Sequence, residues 1–337
     1  MIVRSKAPLR LGLAGGGTDV SPYSDLYGGN VLNATINLAA YCTIEPLHLP
    51  VVRVNAADAG IRCSVQPGTP SGALLIDGVY RRVVKDFGPL PAPGFAITTY
   101  NDAPAGSGLG TSSTMVVCIL KCFAEWMGLA LGDYELARLA YEIERKDLLL
   151  AGGKQDQYAA AFGGFNFMEF LPSDMVIVNP LRVKDWIIEE LEGSMVLYFT
   201  GLSRSSAAII SEQQKATSSG QNRAVEAMHR IKQSAVDMKL ALLQGDMGRF
   251  AEILGSAWED KKKMSDAITN PAIQEAFDVA LAAGALSGKV SGAGGGGFMM
   301  FMVPPEKRMP VLEALRALPG QVVPFQFTEK GAVSWKL

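Results

Sequence analysis

Histidine is nearly absent from this chain of 337 residues, which contains only His48 and His229. A metal centre built on several imidazoles, or a nucleophile activated by histidine, is therefore not expected, and any metal ion should be held by oxygen atoms. Cysteine is also scarce, with four residues and no Cys-x-x-Cys pair. We expect these cysteines to be buried free thiols rather than a metal site or a disulfide framework.

Charge of either sign is not in excess, since 31 basic and 33 acidic side chains leave a net charge of −2. The one basic run, Lys261–Lys263, follows Trp258 on a helical pattern, where packing and a solvated face account for these residues. We therefore expect no nucleic-acid partner. No apolar run approaches the ~18 residues of a membrane span, and the first residues lack the layout of a signal peptide. The sequence thus predicts a cytoplasmic protein without a membrane partner.

Glycine, by contrast, is abundant, with 36 residues, and one glycine-rich stretch opens a helical pattern: Pro104-Ala105-Gly106-Ser107-Gly108-Leu109-Gly110-Thr111-Ser112-Ser113. Glycines at alternate positions permit positive φ and keep side chains away from the backbone N–H groups, while the helix start adds unpaired donors. The stretch predicts an anion site, and we favour a nucleotide phosphate, with the hydroxyls as helix caps or Mg²⁺ ligands. The alternative is a glycine turn that only caps the helix.

Two further stretches are rich in glycine, Gly12–Asp19 and Lys289–Gly297. In the first, three consecutive glycines followed by a carboxylate favour a ligand loop over a plain turn, and Asp19 suits sugar hydroxyls. The second contains a formal G-x-G-x-x-G pattern, but the apolar run Phe298–Val303 that follows it has the length of a strand. A dinucleotide-binding site requires a helix there and is therefore not expected.

The hydrophobic pattern mixes helices and strands. It predicts helices over 112–127, 134–150, 221–244, 246–264, 271–284 and 304–318. It predicts strands over 2–11, 31–45, 95–100, 165–170, 175–178, 195–200, 298–303 and 321–327. Because these elements do not alternate as βαβ units, the expected fold class is α+β, with two lobes.

Three stretches near the start, middle and end of the chain, Lys6-Ala7-Pro8-Leu9-Arg10, Pro104–Ser113 and Lys289–Gly297, resemble the three motifs of the GHMP kinases. That family comprises the galacto-, homoserine, mevalonate and phosphomevalonate kinases. The resemblance implies an N-terminal lobe of the ribosomal protein S5 domain 2 type, residues 1–185, and a ferredoxin-like C-terminal lobe, residues 186–337. It also implies that ATP and substrate bind between the lobes, and it allows a homodimer.

The resemblance assigns roles to residues of the three motifs. The ATP phosphates would lie in a cradle formed by Pro104, Gly106, Ser107, Gly108, Leu109, Gly110, Thr111, Ser112 and Ser113. Mg²⁺ would be held by Ser112 and Glu144, with Glu142 as the lesser candidate. Asp156 matches the catalytic aspartate, which accepts the proton of the acceptor hydroxyl. The cation beside that hydroxyl would be Arg10 or Lys6, of which we favour Arg10.

The acceptor is indicated by Gly15-Gly16-Gly17-Thr18-Asp19 and Thr200-Gly201-Leu202-Ser203-Arg204-Ser205, which are similar to the branch that phosphorylates D-glycero-D-manno-heptose 7-phosphate. This similarity implies transfer of the ATP γ-phosphate to the anomeric hydroxyl, giving a 1,7-bisphosphate for the synthesis of nucleotide-activated heptose and surface glycans. The residues expected to bind the acceptor are Gly16, Gly17, Thr18, Asp19, Arg204, Gly294 and Gly295. Arg204 lies at a predicted helix start and suits a phosphate. The alternatives are a kinase of another sugar, such as fucose, and a non-catalytic sugar sensor that binds ATP.

Overall fold

The computed structural model describes residues 1–202, 210–211 and 222–337 of the chain. Its strands are β1 (Val3–Ala14), β2 (Gly29–Leu47), β3 (Val52–Ala56), β4 (Ile61–Val65), β5 (Gly94–Asn101), β6 (Phe165–Phe170), β7 (Val176–Pro180), β8 (Met195–Phe199), β9 (Ser287–Val290), β10 (Phe298–Met302), β11 (Gln321–Val322) and β12 (Val333–Lys336). Its helices are α1 (Tyr23–Tyr27), α2 (Leu74–Phe87), α3 (Thr111–Met127), α4 (Asp133–Glu142), α5 (Gln155–Phe162), α6 (Asp185–Ser194), α7 (Asn222–Gln244), α8 (Met247–Lys262), α9 (Pro271–Ala282) and α10 (Arg308–Arg316).

The first sheet has the strand order β12-β1-β2-β5-β3-β4, and β6 and β7 extend it from β2. Strand β2 is the spine of this sheet, because it pairs with β1, with β6 at its first residues and with β5 at its last. Helix α3 packs across β1 and β2. Its apolar residues recur with the helical period, so Val116, Ile119, Leu120 and Phe123 are all fully buried. Gly128 ends the helix with a left-handed φ of 69°.

The second sheet has the antiparallel order β11-β8-β10-β9. Aromatic side chains join its helices to its strands. Trp258 of α8 stacks on Phe277 of α9 with 5.4 Å between ring centroids, and Phe277 meets Phe301 of β10 edge-on, also at 5.4 Å. The packing predicted for Trp258 is therefore confirmed.

The two sheets share part of their hydrophobic core. Leu9 and Leu11 of β1 lie in the same buried cluster as Leu197 of β8 and Met300 of β10. In addition, β12 returns to the first sheet and pairs with β1, which places Lys336 opposite Val3. The division of the chain after residue 185 stays a prediction, and the last strand crosses back over it.

The α+β class predicted from the sequence is confirmed, and most predicted elements are present. The expected helix over 134–150 instead ends at Glu142 and continues as a π-helical turn, Ile143–Asp147. The expected strand over 321–327 is shorter, with Gln321–Val322 in β11 and an isolated bridge from Phe327 to Ile36. Helices α5 and α6 and strand β12 were not predicted, because each is short, with 8, 10 and 4 residues respectively.

The cysteines are free thiols, as predicted, and three of the four are buried while Cys63 is half-buried. Burial raises the pKa of the Cys118 thiol to about 12. Over the described parts of the chain, no helix combines the length and the apolar content that crossing a bilayer requires.

Candidate active site

The glycine-rich stretches meet around one cleft. Its walls come from the turn after β1, the loop before α3, the segment from the π turn to α5, and the loop between β9 and β10. The lining includes Arg10, Gly12, Gly16, Gly17, Asp19, Gly106, Gly108, Gly110, Thr111, Ser112, Ser113, Glu144, Arg145, Gly152, Gly153, Gln155, Asp156, Lys261, Lys289, Gly292 and Ala293. Chain segments that are far apart in sequence therefore build a single site.

The loop before α3 presents backbone N–H groups to this cleft. Gly106, Gly108 and Gly110 have φ values of 74°, 83° and 77°, which other residues rarely adopt. Among the described residues no side chain caps the first N–H groups of α3, so these donors and the positive end of the helix dipole are open to an anion.

Three other residues of the loop, Pro104, Ser107 and Leu109, make backbone hydrogen bonds within the protein. Leu109 is fully buried, and its carbonyl accepts from the N–H of Arg10 at 3.2 Å. The Ser107 carbonyl accepts from the N–H of Phe298 at 2.9 Å, and the Pro104 carbonyl accepts from the N–H of Ser107 at 3.2 Å. These contacts tie the loop to β1 and β10 and fix its shape.

Asp156, in the first turn of α5, lies against the glycine loop. A Cβ atom at Gly110 would lie 3.1 Å from Asp156 Cγ. Arg10 Nε donates to Asp156 Oδ1 at 2.7 Å, and Arg10 Nη1 donates to the Gly108 carbonyl at 2.6 Å. Arg10 is 4% exposed, whereas the Asp156 side chain is 22% exposed. The buried guanidinium therefore holds an accessible carboxylate beside the loop.

A hydroxyl and a carboxylate meet at the start of α3. Ser112 Oγ donates to Glu144 Oε1 at 2.9 Å, and Gln157 Nε2 donates to Glu144 Oε2 at 2.6 Å. Glu144 is 1% exposed and belongs to the π turn, a kind of helix irregularity that is frequent at functional sites.

Glu142 faces away from this group. Arg82 Nη2 donates to Glu142 Oε2 at 2.6 Å. Burial acts to raise the pKa of Glu142, but the hydrogen bond from Arg82 and the charge of Lys146 outweigh it, so the pKa is lowered. The geometry therefore favours Glu144 over Glu142 as a partner of Ser112.

The Asp19 carboxylate lines the cleft and also holds the start of α5. Its Oδ2 accepts from the backbone N–H groups of Lys154 at 2.9 Å and Gln155 at 3.1 Å, and its Oδ1 accepts from Gln155 Nε2 at 2.9 Å. A side chain at Gly153 would collide with this carboxylate. Asp19 thus connects the turn after β1 to the helix that carries Asp156.

Several expected site residues lie outside the lining of the cleft. Lys6 stacks over the ring of Tyr41, with Nζ 5.6 Å from the ring centroid. Thr18 is fully buried and donates to the Gly15 carbonyl at 2.7 Å. The Gly295 N–H donates to the Ile268 carbonyl at 2.7 Å, and a Cβ atom at the neighbouring Gly294 would lie 3.0 Å from the same carbonyl oxygen. Gly292 and Ala293 are the residues of this loop that line the cleft.

Arg204 lies outside the described residues. Ile210 follows it at a distance of six residues in the chain and lines the cleft.

Two lysines of the cleft were missed by sequence reasoning. The solvated face expected for Lys261–Lys263 is wrong for Lys261, which is 5% exposed, and Lys289 is equally buried. Burial, together with the positive charge of Arg10, lowers the pKa of Lys261 to about 8. Burial and the charges of Lys261 and Arg10 also lower the pKa of Lys289. The available signals were the position of Lys289 directly before a glycine loop and the position of Lys261 one turn after a buried tryptophan.

Comparison with known proteins gives matches over the whole chain. Residues 75–164 match the GHMP kinases N terminal domain, and residues 238–320 match the GHMP kinases C terminal domain. The D-glycero-alpha-D-manno-heptose 7-phosphate kinase of Campylobacter jejuni is 48% identical over 99% of both chains.

Solved structures give the same result. The crystal structure of a D-glycero-D-manno-heptose 1-phosphate kinase from Bacteroides thetaiotaomicron matches with a TM-score of 0.85 and 60% identity over 99% of both chains. Lactococcus lactis galactokinase matches with a TM-score of 0.77 at 17% identity, covering 98% of this chain and 95% of the galactokinase, and shows the shared fold. The chain therefore belongs to the GHMP kinase family, with its two-lobed α+β fold, and is a phosphotransferase with an alcohol group as acceptor.

Proposed function

We propose that this protein is an ATP-dependent sugar-phosphate kinase. It transfers the γ-phosphate of ATP to the anomeric hydroxyl of D-glycero-D-manno-heptose 7-phosphate and releases ADP and the 1,7-bisphosphate. The observation that carries the proposal is the ion pair between Arg10 and Asp156, 2.7 Å long, which lies directly against the glycine loop.

Asp156 is the proposed base. In the transfer step the acceptor oxygen forms a bond to the γ-phosphorus, the bond from that phosphorus to ADP breaks, and the hydroxyl proton passes to the carboxylate. Arg10 donates to Oδ1, and Oδ2 accepts no hydrogen bond from the described residues, so Oδ2 is the proposed proton acceptor. A positioned base of this kind contributes about 10²- to 10⁴-fold in rate.

The glycine loop and the start of α3 are proposed to bind the phosphates of ATP. The N–H groups of Gly106, Gly108, Gly110 and Thr111 can donate to phosphate oxygens, and the absence of side chains at the three glycines allows a close approach. These N–H dipoles would stabilise the negative charge that develops on the transferred phosphoryl group. Because the loop and the helix hold them in place, they need no reorganisation during the reaction.

Ser112 and Glu144 are proposed to hold Mg²⁺. Within the described ranges no group of three or more His, Cys, Asp or Glu side chains is placed to bind a metal ion. That finding suits Mg²⁺ in a kinase, which takes one or two protein oxygens and fills its other positions with phosphate oxygens and water. A hydroxyl 2.9 Å from a buried carboxylate is such an oxygen pair. When bound, Mg²⁺ neutralises charge on the phosphates and orients them.

The choice of acceptor is supported by the relatives, whose names both contain a heptose phosphate but differ in the position of the phosphate. We propose the 7-phosphate, since transfer to the anomeric hydroxyl requires that position 1 be free. Gly16, Gly17 and Asp19 would face the sugar, and Arg204 is proposed to contact its phosphate.

The test is release of ADP with Mg·ATP against heptose 7-phosphate, heptose 1-phosphate, unphosphorylated heptose, fucose, galactose and mevalonate. We expect turnover with heptose 7-phosphate and a loss of about 10²-fold or more in kcat for Asp156→Asn, because the amide cannot take the proton. Asp278→Asn, on the exposed face of α9, is the matched control and should keep full activity.

Other outcomes would contradict parts of the proposal. Turnover of fucose or another free sugar alone would retain the kinase and overturn the acceptor. Binding of ATP and sugar with no ADP release from the wild-type protein would favour the non-catalytic sensor. An Asp156→Asn variant as active as the control would remove Asp156 as the base.

A further inference from the structure

Lys261 and Lys289 line the cleft but have no role in the proposed transfer step. Lys261 Nζ donates to the Gly292 carbonyl, and Lys289 Nζ donates to the carbonyls of Gly12 at 2.9 Å and Leu13 at 3.1 Å. An ammonium group has three N–H donors. As far as the described residues are concerned, two donors of Lys261 and one of Lys289 are therefore left for a ligand.

The charge of these lysines is not balanced by the protein that the structure describes. Within residues 1–202, 210–211 and 222–337, neither lysine forms an ion pair, and both residues are 5% exposed. The nearby carboxylates are already engaged, Asp156 by Arg10 and Asp19 by the N–H groups at the start of α5. Buried cations without a counter-charge are costly, so the site favours an anion.

The position of Lys289 indicates which anion the subsite binds. The nucleotide phosphates already have the N–H groups of the glycine loop and of α3. Lys289 instead contacts the end of β1 at Gly12 and Leu13, directly before the turn that carries Gly16 and Gly17. This is the part of the cleft that the proposed function assigns to the acceptor.

We infer that Lys261 and Lys289 form a second anion subsite in the cleft, which binds the phosphate that the acceptor already carries, independently of the contact proposed for Arg204. The inference rests on the proposed sugar-phosphate kinase activity. It gives the enzyme a means of selecting a phosphorylated sugar over the free sugar, because only the phosphorylated sugar supplies a counter-charge to the two buried cations.

The test compares Lys261→Met with Lys263→Met. Methionine has nearly the length of lysine and suits a buried site, while Lys263 lies two residues away, is 42% exposed and pairs with Asp260 at 2.9 Å. We expect Lys261→Met to raise the KM for heptose 7-phosphate about 10- to 100-fold, as for the loss of a hydrogen bond to a charged group. The KM for unphosphorylated heptose and for ATP should stay within about twofold, and Lys263→Met should change none of these values.

A binding measurement keeps the subsite separate from the reaction. Inorganic phosphate is titrated calorimetrically into protein saturated with Mg²⁺ and a non-hydrolysable ATP analogue, which occupies the glycine loop. We expect the wild type and Lys263→Met to bind phosphate and Lys261→Met to bind it at least about 10-fold more weakly. This result would support the subsite even if the sugar panel gave no turnover, in which case only the proposed function would fail.

Three results would overturn the inference. The first is an unchanged KM for heptose 7-phosphate in Lys261→Met. The second is a fall in kcat of equal size with the phosphorylated and the free sugar, which would assign Lys261 to the transferred phosphoryl group. The third is equal binding of inorganic phosphate by Lys261→Met and the wild type.

Discussion

Arg10, Lys261 and Lys289 lie in one cleft, and each is at least 95% buried. Arg10 differs from the lysines because Asp156 balances its charge at 2.7 Å. A guanidinium keeps its proton in proteins, whereas a buried ammonium can lose it, so burial has different consequences for the two residue types. At the residue scale, Arg10 is a fixed support for the carboxylate, and Lys261 is a group that can titrate near neutral pH.

The lowered pKa of Lys261 predicts how stability depends on pH. With a folded-state pKa of about 8 and an ordinary value of 10.5, the unfolded chain binds more protons between these values, so the free energy of unfolding rises with pH across this window. The pKa of Lys289 is also lowered, so this residue likewise makes the free energy of unfolding rise with pH. At Lys261, the charge of Arg10 lowers the pKa and the charge of Asp19 raises it. We expect the free energy of unfolding of Lys261→Met to rise less with pH than that of the wild type.

The measurement is urea unfolding at pH 7.5 and pH 10, without ligands. The rise in unfolding free energy should be smaller in Lys261→Met than in the wild type by about 2 kcal/mol. Lys263→Met should follow the wild type, since its ammonium lies at the surface. Identical pH dependence in all three proteins would mean that Lys261 titrates normally.

At the element scale, the π turn after α4 sets the position of the metal-binding candidates. The ordinary helical pattern ends at Glu142, and the wider turn of Ile143–Asp147 brings Glu144 between Ser112 of α3 and Gln157 of α5. Three elements are thus joined by one buried carboxylate, while Glu142, two residues earlier, pairs with Arg82 on α2.

Glu144→Gln and Glu142→Gln therefore form a matched pair. We expect Glu144→Gln to raise the Mg²⁺ concentration needed for half-maximal ADP release about 10-fold or more, since an amide is a weaker ligand of a hard cation than a carboxylate. Glu142→Gln should leave that concentration unchanged and lower the unfolding free energy by about 1 kcal/mol through its ion pairs. A larger Mg²⁺ effect for Glu142→Gln would reverse the assignment.

At the scale of the whole molecule, the chain begins and ends in the same sheet. Strand β12 covers the edge of β1, the Ser334 hydroxyl donates to Glu125 of α3 at 3.0 Å, and Lys336 pairs with Glu125 at 3.5 Å. Strand β1 also contains Arg10 and leads directly to the turn that lines the cleft. Homodimerisation and a cytoplasmic location stay predictions.

Removal of residues 333–337 should destabilise the protein without altering the chemistry of the cleft. The loss of the β1–β12 ladder should cost about 2–6 kcal/mol in the free energy of unfolding, from about four hydrogen bonds at about 0.5–1.5 kcal/mol each. Urea unfolding gives this value, and the KM for ATP should change less than about twofold. Ser334→Ala keeps the strand and should cost less than about 1 kcal/mol; a truncated protein of wild-type stability would contradict the role of β12.

The outcome for individual residues shows how far sequence reasoning reaches in this protein. Helix α3 was predicted closely, since Val116, Ile119, Leu120 and Phe123 repeat with the helical period and Gly128 ends it. The same reasoning placed Lys261 on a solvated face. The helical repeat of apolar residues identifies one buried face of a helix, but it does not show whether other segments pack against the opposite face. Glu142 stayed a lesser candidate beside Glu144, because this chain has one extra residue before Asp156 compared with the family's spacing. The structure places Glu144 in a π turn.

The sequence by itself determined the α+β class, most of the helices and strands, and the three glycine-rich stretches, because these depend on local periodicity and on the backbone freedom of glycine. Only the tertiary structure decided which side chains of those stretches meet. The contact of Arg10 with Asp156 joins residues 146 positions apart, and the burial of Lys261 and Lys289 depends on segments that pack around them. Such long-range contacts follow from the arrangement of the sheets and the shared core, which no local pattern records.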